Sequence, residues 1–220
     1  MKKKVLILGG KGNGTVVASA IIDANKRGYN EYEFVGFLND GEEPEGCIEE
    51  YPVFDKIYNI KKYFDDYYFI NTILRIDGNM KRMNMVEELN IPLERYSTFV
   101  HPTAYVAPNV KIKPGVVIMP NASISSNTII GKNSLIMVGA TIGHNNIMGD
   151  YLHVAAQSCI GSYLTIGTGV HIGLNATIRE NLVIGDNATI GMGTVLTKNV
   201  GENEIWVGNP GRFLRYSEED

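Results

Sequence analysis

The sequence predicts a chain of two parts, a small α/β domain followed by a parallel β-helix. The β-helix is predicted by an unbroken period of six, in which every sixth residue is a branched aliphatic residue or methionine. These positions are Val106, Ile112, Ile118, Ile124, Ile130, Ile136, Ile142, Met148, Val154, Ile160, Ile166, Ile172, Ile178, Ile184, Ile190 and Leu196. Six residues overshoot one 3.6-residue turn, so an α-helix cannot use this period. In a β-helix each hexad forms a short strand and a corner, three hexads close a coil, and the repeat side chains stack inside.

Glycine directly follows many of the repeat residues. These glycines are Gly131, Gly143, Gly149, Gly161, Gly167, Gly173, Gly185 and Gly191. We expect them to supply corner conformations that a residue with a Cβ atom reaches only at a cost. Val100 fits the same register, so we assign the β-helix, of about five coils, and a polar carboxyl-terminal tail to residues 98–220.

Residues 1–97 carry a different pattern, which predicts a βαβ unit. The predicted elements are a buried strand over Lys4–Leu8, a glycine loop over 9–14, a helix over Thr15–Lys26, strands over Tyr32–Leu38 and Tyr67–Ile70, and a helix over Met80–Leu89. A strand, a glycine loop, a helix and a second strand in this order are typical of a Rossmann-like domain.

The glycine loop has two open interpretations. It places backbone N–H groups and a helix amino terminus where they can hold an anion, or it is a tight turn without a ligand. Its spacing, G-G-x-G-x-G, differs from the dinucleotide fingerprint G-x-G-x-x-G. Asn39 and Asp40 end the second predicted strand, where an acidic residue commonly meets a ribose or base. Because the domain is small, a mononucleotide group fits it better than NAD.

Composition excludes several classes of protein. The net charge of −4 gives no support for nucleic-acid binding. No apolar run reaches the ~18–20 residues of a membrane span. The two cysteines, Cys47 and Cys159, lie far apart in the sequence and suggest no disulfide framework. We therefore expect a cytoplasmic protein that binds neither nucleic acid nor membrane.

Three of the four histidines, His144, His153 and His171, lie in the repeat region but not on repeat positions. They are therefore expected outside the coil or at a subunit interface. His153 and His171 are 18 residues apart, one full coil, so they should stack about 4.8 Å apart. Three roles stay open: packing, zinc binding by three converging imidazoles, and general-base catalysis. The 144/153/171 spacing does not suit a shared zinc site, and we predict no metal.

The order of motifs resembles one acetyltransferase family. A Rossmann-like domain is followed by His101-Pro102-Thr103-Ala104, the uninterrupted hexads, and Val207-Gly208-Asn209-Pro210. This order resembles the sialic-acid O-acetyltransferases and the nucleotide-amino-sugar N-acetyltransferases of bacillosamine and perosamine synthesis. The resemblance covers essentially the whole chain. It implies a left-handed β-helix, acetyl-CoA as co-substrate, and a homotrimer whose three sites lie between neighbouring β-helices.

The resemblance also implies roles for individual residues of the β-helix. The family's catalytic histidine matches His144, and Asn145 follows it where the family usually has an acidic residue. The residues implied in acetyl-CoA binding are His153, Ser162, Leu174 and Met192.

In the amino-terminal domain, the resemblance implies contacts with the nucleotide of the sugar substrate. They come from Lys11, Gly12 and Asn13 of the glycine loop, and from Asn39-Asp40, where the family usually has an acidic pair.

These implications favour an acetyl-CoA-dependent N-acetyltransferase. Its substrate would be a nucleotide-linked amino sugar, of the 4-amino-4,6-dideoxy type, in bacterial surface-glycan biosynthesis. The alternative is O-acetylation of sialic acid or a related sugar. A neutral amine is the better nucleophile and tolerates the weaker base that Asn145 implies. A purely structural solenoid would need neither His144 nor the Gly-Asn-Pro closure.

Overall fold

The computed structural model describes residues 2–217, so the predicted tail residues 218–220 lie outside it. The first part of the chain contains one sheet with strand order β3-β4-β2-β1-β5. Its elements are β1 (Lys3–Leu8), α1 (Asn13–Lys26), β2 (Tyr32–Leu38), β3 (Cys47–Ile48), β4 (Tyr51–Asp55), a 3-10 helix (Ile57–Tyr63), β5 (Tyr68–Asn71), α2 (Met80–Glu88) and a second 3-10 helix (Leu93–Arg95). The central strand β1 pairs in parallel with β2 and β5, as a βαβ connection requires.

The elements predicted in this part lie within two residues of their observed bounds, but two strands were not predicted. These are β3 and β4, the latter parallel to β2 and antiparallel to β3. Only Ile48 and Val53 are buried apolar residues there, and Pro52 interrupts the segment. Two buried positions are too few to establish an alternating pattern in the sequence.

The second part consists of stacked strands on three faces, numbered along the chain. Each has two residues except β23 and β24, which are longer. The first face contains β6 (Phe99–Val100), β9 (Val117–Ile118), β12 (Leu135–Ile136), β15 (His153–Val154), β18 (His171–Ile172), β21 (Thr189–Ile190), β23 (Glu204–Val207) and β24 (Arg212–Tyr216). The second face contains β7 (Tyr105–Val106), β10 (Ser123–Ile124), β13 (Thr141–Ile142), β16 (Cys159–Ile160), β19 (Thr177–Ile178) and β22 (Val195–Leu196). The third face contains β8 (Lys111–Ile112), β11 (Ile129–Ile130), β14 (Ile147–Met148), β17 (Thr165–Ile166) and β20 (Val183–Ile184). The chain visits the three faces in turn, which is the parallel β-helix that the hexads predict.

The repeat residues form the interior of this β-helix, as predicted. From Ile118 to Leu196 each of them is at most 2% exposed. Val106 and Ile112 are half-buried, since they lie in the first coil, next to the end of the stack. Strands one coil apart pair residue for residue, so the aliphatic side chains stack in register.

The corner glycines have a different role from the one we expected. None of the eight glycines that follow repeat residues has a positive φ. A Cβ on Gly131 would lie 2.2 Å from the backbone of the next coil, and one on Gly149 2.6 Å. Close approach between coils, not corner conformation, therefore excludes a side chain there.

The left-handed corner residue lies three positions after each repeat residue from Ile112 to Ile190. Asn occupies this position most often, as at Asn127, Asn133, Asn145, Asn175 and Asn181, all with φ between 54° and 58°. Asparagine tolerates this conformation better than most residues with a Cβ.

The carboxyl-terminal segment is not simply a polar tail, which corrects the prediction. β23 continues the first face in parallel with β21, and β24 returns antiparallel to β23. Val207 to Pro210, the closing motif of the sequence, ends β23 and forms the connection to β24.

The first part of the chain packs on the first face of the β-helix. Thr189 donates a hydrogen bond from Oγ1 to the carbonyl of Ile76 at 2.6 Å, and the N–H of Asn79 donates to Oδ1 of Asn187 at 2.6 Å. The core of the βαβ unit is continuous with Phe99, Val117, Met119 and Leu135. Within residues 2–217, no helix combines the length and apolarity needed to cross a bilayer.

Candidate active site

A cavity of about 400 Å³ lies where the glycine loop meets the β-helix. Asn13 and Ile76 line it from the first part of the chain. The β-helix residues that line it lie on the first face and on the edge between the first and second faces: Met137, His153, Ala155, Ala156, His171, Gly173, Leu174, Gly191 and Met192. Three of the four residues that the resemblance assigns to acetyl-CoA thus line one cavity, together with one residue assigned to the nucleotide sugar. A mostly apolar cavity with a few polar groups suits a small-molecule site.

His153 and His171 stack on the first face as predicted, one coil apart. Their ring centroids are 4.9 Å apart, their planes differ by 22°, and their Nδ1 atoms are 2.8 Å apart. Both side chains lie outside the coil, as expected, but both are buried within one chain. The packing of the first part of the chain on this face accounts for that burial. The sequence shows the 18-residue spacing but not that the first part of the chain covers these two histidines. His171 is not among the predicted site residues.

Burial lowers the pKa of both imidazoles. The pKa of His153 lies far below its usual value, first because of burial and then because of the neighbouring His171. Burial alone lowers the pKa of His171. Both rings are therefore neutral at pH 7 in the folded protein.

Folding stability should fall as the pH falls below about 6.5, the ordinary histidine pKa. In that range the unfolded chain binds protons at these histidines and the folded protein does not, so acid favours unfolding. Each buried histidine should contribute up to about 1.4 kcal/mol per pH unit. Urea unfolding between pH 7 and 5 measures the slope. A His153→Asn/His171→Asn double variant should show a flatter dependence, and an unchanged slope would contradict the assignment.

His144 lies elsewhere, at the corner between the second and third faces. Its backbone N–H donates to Oγ of Ser162 at 3.1 Å, so Ser162 belongs to this corner and not to the cavity lining. The Tyr163 ring stands edge-on to the imidazole at 5.1 Å. Asn146 is fully buried and donates to the carbonyls of Gly143 and Gly161, which fixes the corner.

The imidazole of His144 is oriented by its neighbour. Nδ1 of His144 lies 2.9 Å from Oδ1 of Asn145. Because an amide oxygen only accepts, Nδ1 carries the proton and Nε2 has a free lone pair. Nε2 makes no hydrogen bond to any described residue, and the side chain is half-exposed. The pair therefore has the geometry of a general base whose tautomer is set by an amide instead of a carboxylate.

The glycine loop presents unpaired donors. The backbone N–H groups of residues 11–14 donate to no acceptor among residues 2–217. Gly12 has φ +85° and precedes α1, whose first residue is Asn13. Lys11 and Gly12 are exposed. Free N–H groups, a helix amino terminus and a lysine are the features that bind a phosphate.

Asn39 and Asp40 have structural contacts of their own. Asn39 donates from Nδ2 to the carbonyl of Gly9 at 3.0 Å, and its Oδ1 accepts from the N–H groups of Gly41 and Glu42. Asp40 accepts from the N–H of Ile57 at 2.7 Å, at the start of a 3-10 helix. Asn39 thus connects the glycine loop to the loop after β2. The second carboxylate oxygen of the exposed Asp40 has no partner among the described residues 2–217.

Thr72 completes the base of the glycine loop and was not predicted. Its Oγ1 donates to the carbonyl of Leu8 at 2.7 Å, and a Cβ on Gly9 would lie 2.5 Å from that oxygen. Among residues 2–217, no group of three or more His, Cys, Asp or Glu side chains could hold a metal ion.

A family model described as the GMPPB C-terminal domain matches residues 95–200, just under half of the chain. A search of curated proteins found no significant match in sequence.

Solved structures of this fold match almost the whole chain. Perosamine N-acetyltransferase from Caulobacter crescentus, in complex with CoA and GDP-perosamine, has a TM-score of 0.80 at 20% identity, over 96% of this chain and 97% of that one. The acetyltransferase domain of PglB from Neisseria gonorrhoeae FA1090, with acetyl coenzyme A, has a TM-score of 0.83 at 22% identity, over 97% and 100%. WeeI from Acinetobacter baumannii AYE has a TM-score of 0.77 at 22% identity, over 97% and 100%. The resemblance that the sequence indicates is thus confirmed at the level of the fold.

Proposed function

We propose that the protein transfers an acetyl group from acetyl-CoA to the amine of a nucleotide-linked amino sugar. The observation that carries this proposal is that Asn13 of the glycine loop lines the same cavity as His153, Leu174 and Met192. A nucleotide held at the glycine loop and an acyl donor held along the β-helix edge would there lie side by side. The neighbours crystallised with CoA, acetyl-CoA and GDP-perosamine support the same pair of substrates.

His144 is the proposed general base. The amine nitrogen attacks the thioester carbonyl carbon, the C–S bond breaks, and the amine proton moves to Nε2 of His144 and from there to the departing thiolate. Asn145 keeps Nε2 unprotonated before the reaction. Because both substrates are anchored, proximity supplies much of the rate.

The site is proposed to be completed by a second copy of the chain. His144 lies on the edge between the second and third faces, whereas the cavity lies at the edge between the first and second. In one chain, His144 and the cavity therefore lie at opposite edges of the second face. Tyr163 beside His144 and Ile147 on the third face are 56% and 57% exposed, which suits a surface covered by another subunit. A closed homotrimer places each His144 at a neighbour's cavity.

We expect sedimentation to give three times the chain mass and subunit mixing to restore activity. His144→Ala and Leu174→Arg should each be inactive, the second because it blocks the cavity. Trimers refolded from an equal mixture should recover about a quarter of wild-type activity, since a site then needs one intact half from each of two subunits. An active monomer, or no recovery on mixing, would refute the shared site.

The substrate class is tested by comparing three acceptors: a nucleotide-linked 4-amino-4,6-dideoxy sugar, the same free sugar, and free sialic acid. The nucleotide-linked amine should be preferred by at least about 10²-fold in kcat/KM, because remote phosphate contacts orient the reacting amine. Lys11→Ala should reduce that preference and leave the KM for acetyl-CoA unchanged.

Asp40→Asn is the matched variant for the second nucleotide contact. An amide oxygen preserves the hydrogen bond to Ile57 while the charge is removed, so any loss of nucleotide binding is not caused by a disrupted helix start. Efficient acetylation of free sialic acid, unaffected by Lys11→Ala, would instead establish the O-acetyltransferase. The cytoplasmic location predicted from the unpaired cysteines remains part of this proposal.

A further inference from the structure

The hydrogen bond between His153 and His171 requires opposite tautomers. The two Nδ1 atoms are 2.8 Å apart, and such a contact holds only if one nitrogen donates a proton and the other accepts it. Both rings are neutral at pH 7, since burial lowers both pKa values. One ring must therefore carry its proton on Nδ1 and the other on Nε2.

The second ring nitrogen of His153 has no partner. Its Nε2 is buried and makes no hydrogen bond to any described residue. His153 lines the cavity together with Leu174 and Met192. A buried polar atom without a partner is costly, and at a cavity wall it marks the place where a ligand atom supplies the missing hydrogen bond.

The chemistry of the acyl donor determines which of the two histidines donates the hydrogen bond between them. A thioester offers a carbonyl oxygen and a sulfur, which only accept hydrogen bonds. A nitrogen that contacts them must carry a proton. Nε2 of His153 is then the protonated nitrogen, its Nδ1 is the acceptor, and Nδ1 of His171 is the donor.

We propose that His171 is a positioning residue, which donates Nδ1–H to His153 and so holds His153 as the Nε2–H donor to the thioester of the acyl substrate. This role rests on the proposed acetyl transfer. It differs from that of His144, whose Nε2 must be free of a proton. Two histidines of the same chain are thus held in opposite tautomers, one by an amide oxygen and one by a second imidazole.

The tautomers can be measured without any substrate. Long-range ¹H–¹⁵N spectra of the ¹⁵N-histidine-labelled protein separate protonated from unprotonated ring nitrogens. With only four histidines in the chain, His153→Asn and His171→Asn assign the signals. We expect a proton on Nε2 of His153 and on Nδ1 of His171, the less common site in a neutral imidazole. The reverse placement, or exchange between the two, would overturn the proposal.

Two variants separate positioning from packing. His171→Leu removes the donor, while His171→Asn retains an N–H donor near the position of Nδ1. The KM for acetyl-CoA should rise about tenfold in His171→Leu. In His171→Asn it should stay within about threefold of wild type. The KM for the amine acceptor should change in neither variant.

Equal acetyl-CoA KM values for the leucine and asparagine variants would show that His171 only fills space. If the leucine variant does not fold, the proposal is still tested by the acetyl-CoA KM of the asparagine variant and by the tautomers in the wild-type spectrum. A wild-type protein that acetylates no amino sugar would refute the proposed function, whereas the spectrum would still establish or refute the tautomers.

Discussion

Replacing His144 with alanine should lower kcat for acetyl transfer by about 10²–10⁴-fold, the usual contribution of a general base. Binding of acetyl-CoA should hardly change, because His144 is assigned to the amine and not to the thioester. Stopped assays of kcat and calorimetric titration with acetyl-CoA measure the two quantities separately. A loss below about tenfold would leave His144 only a positioning role, with the amine arriving already deprotonated.

Variants of Asn145 provide the matched control. Asn145 has φ +58°, so alanine there would add backbone strain to the loss of the amide. Asn145→Gly removes the hydrogen bond to Nδ1 without that strain and should cause a smaller loss than His144→Ala. Asn145→Asp should keep the geometry and raise the basicity of His144, since a carboxylate stabilises the imidazolium. It should shift the acid limb of the pH–rate profile upward.

The interior of the β-helix could be predicted from the sequence because its cause is local and periodic. One buried aliphatic residue per hexad sets the register of every strand, and an error of one residue would turn the ladder outward. The corner conformation also has a periodic signal, the asparagines three residues after repeat positions, but we attributed it to the glycines. Asn145 belongs to that series. Its left-handed conformation therefore favours asparagine at this position.

The candidate site could be predicted only in part, because it depends on how distant segments pack. In the sequence, Leu174 and Met192 are 18 residues apart, at equivalent corners of successive coils, and His153 lies in the coil before Leu174. The sequence does not show that Asn13 joins them, since that contact depends on how the first part of the chain packs on the first face. The sequence also does not show that His144 and this cavity lie at different edges of the β-helix.

Replacing Ile160 with aspartate should unfold the β-helix. Ile160 is 2% exposed and pairs with Ile142 and Ile178 in the coils before and after it. A carboxylate there would be surrounded by aliphatic side chains without a hydrogen-bond donor, at a cost of at least several kcal/mol. Protonation would reduce the charge penalty but leave a buried polar group and a lost aliphatic contact. That cost is a large part of the stability of an ordinary domain.

Cys159→Asp is the control, since the preceding residue of the same strand points outward and is exposed. It should keep the circular dichroism spectrum of the wild type, and any weakening of subunit contacts would appear as a change in mass. Ile160→Asp should instead be insoluble or lose its cooperative thermal transition. If Ile160→Asp melted like the wild type, the side chain could not lie in the interior. The register that places His144 at a corner and His153 beside the cavity would then be wrong as well.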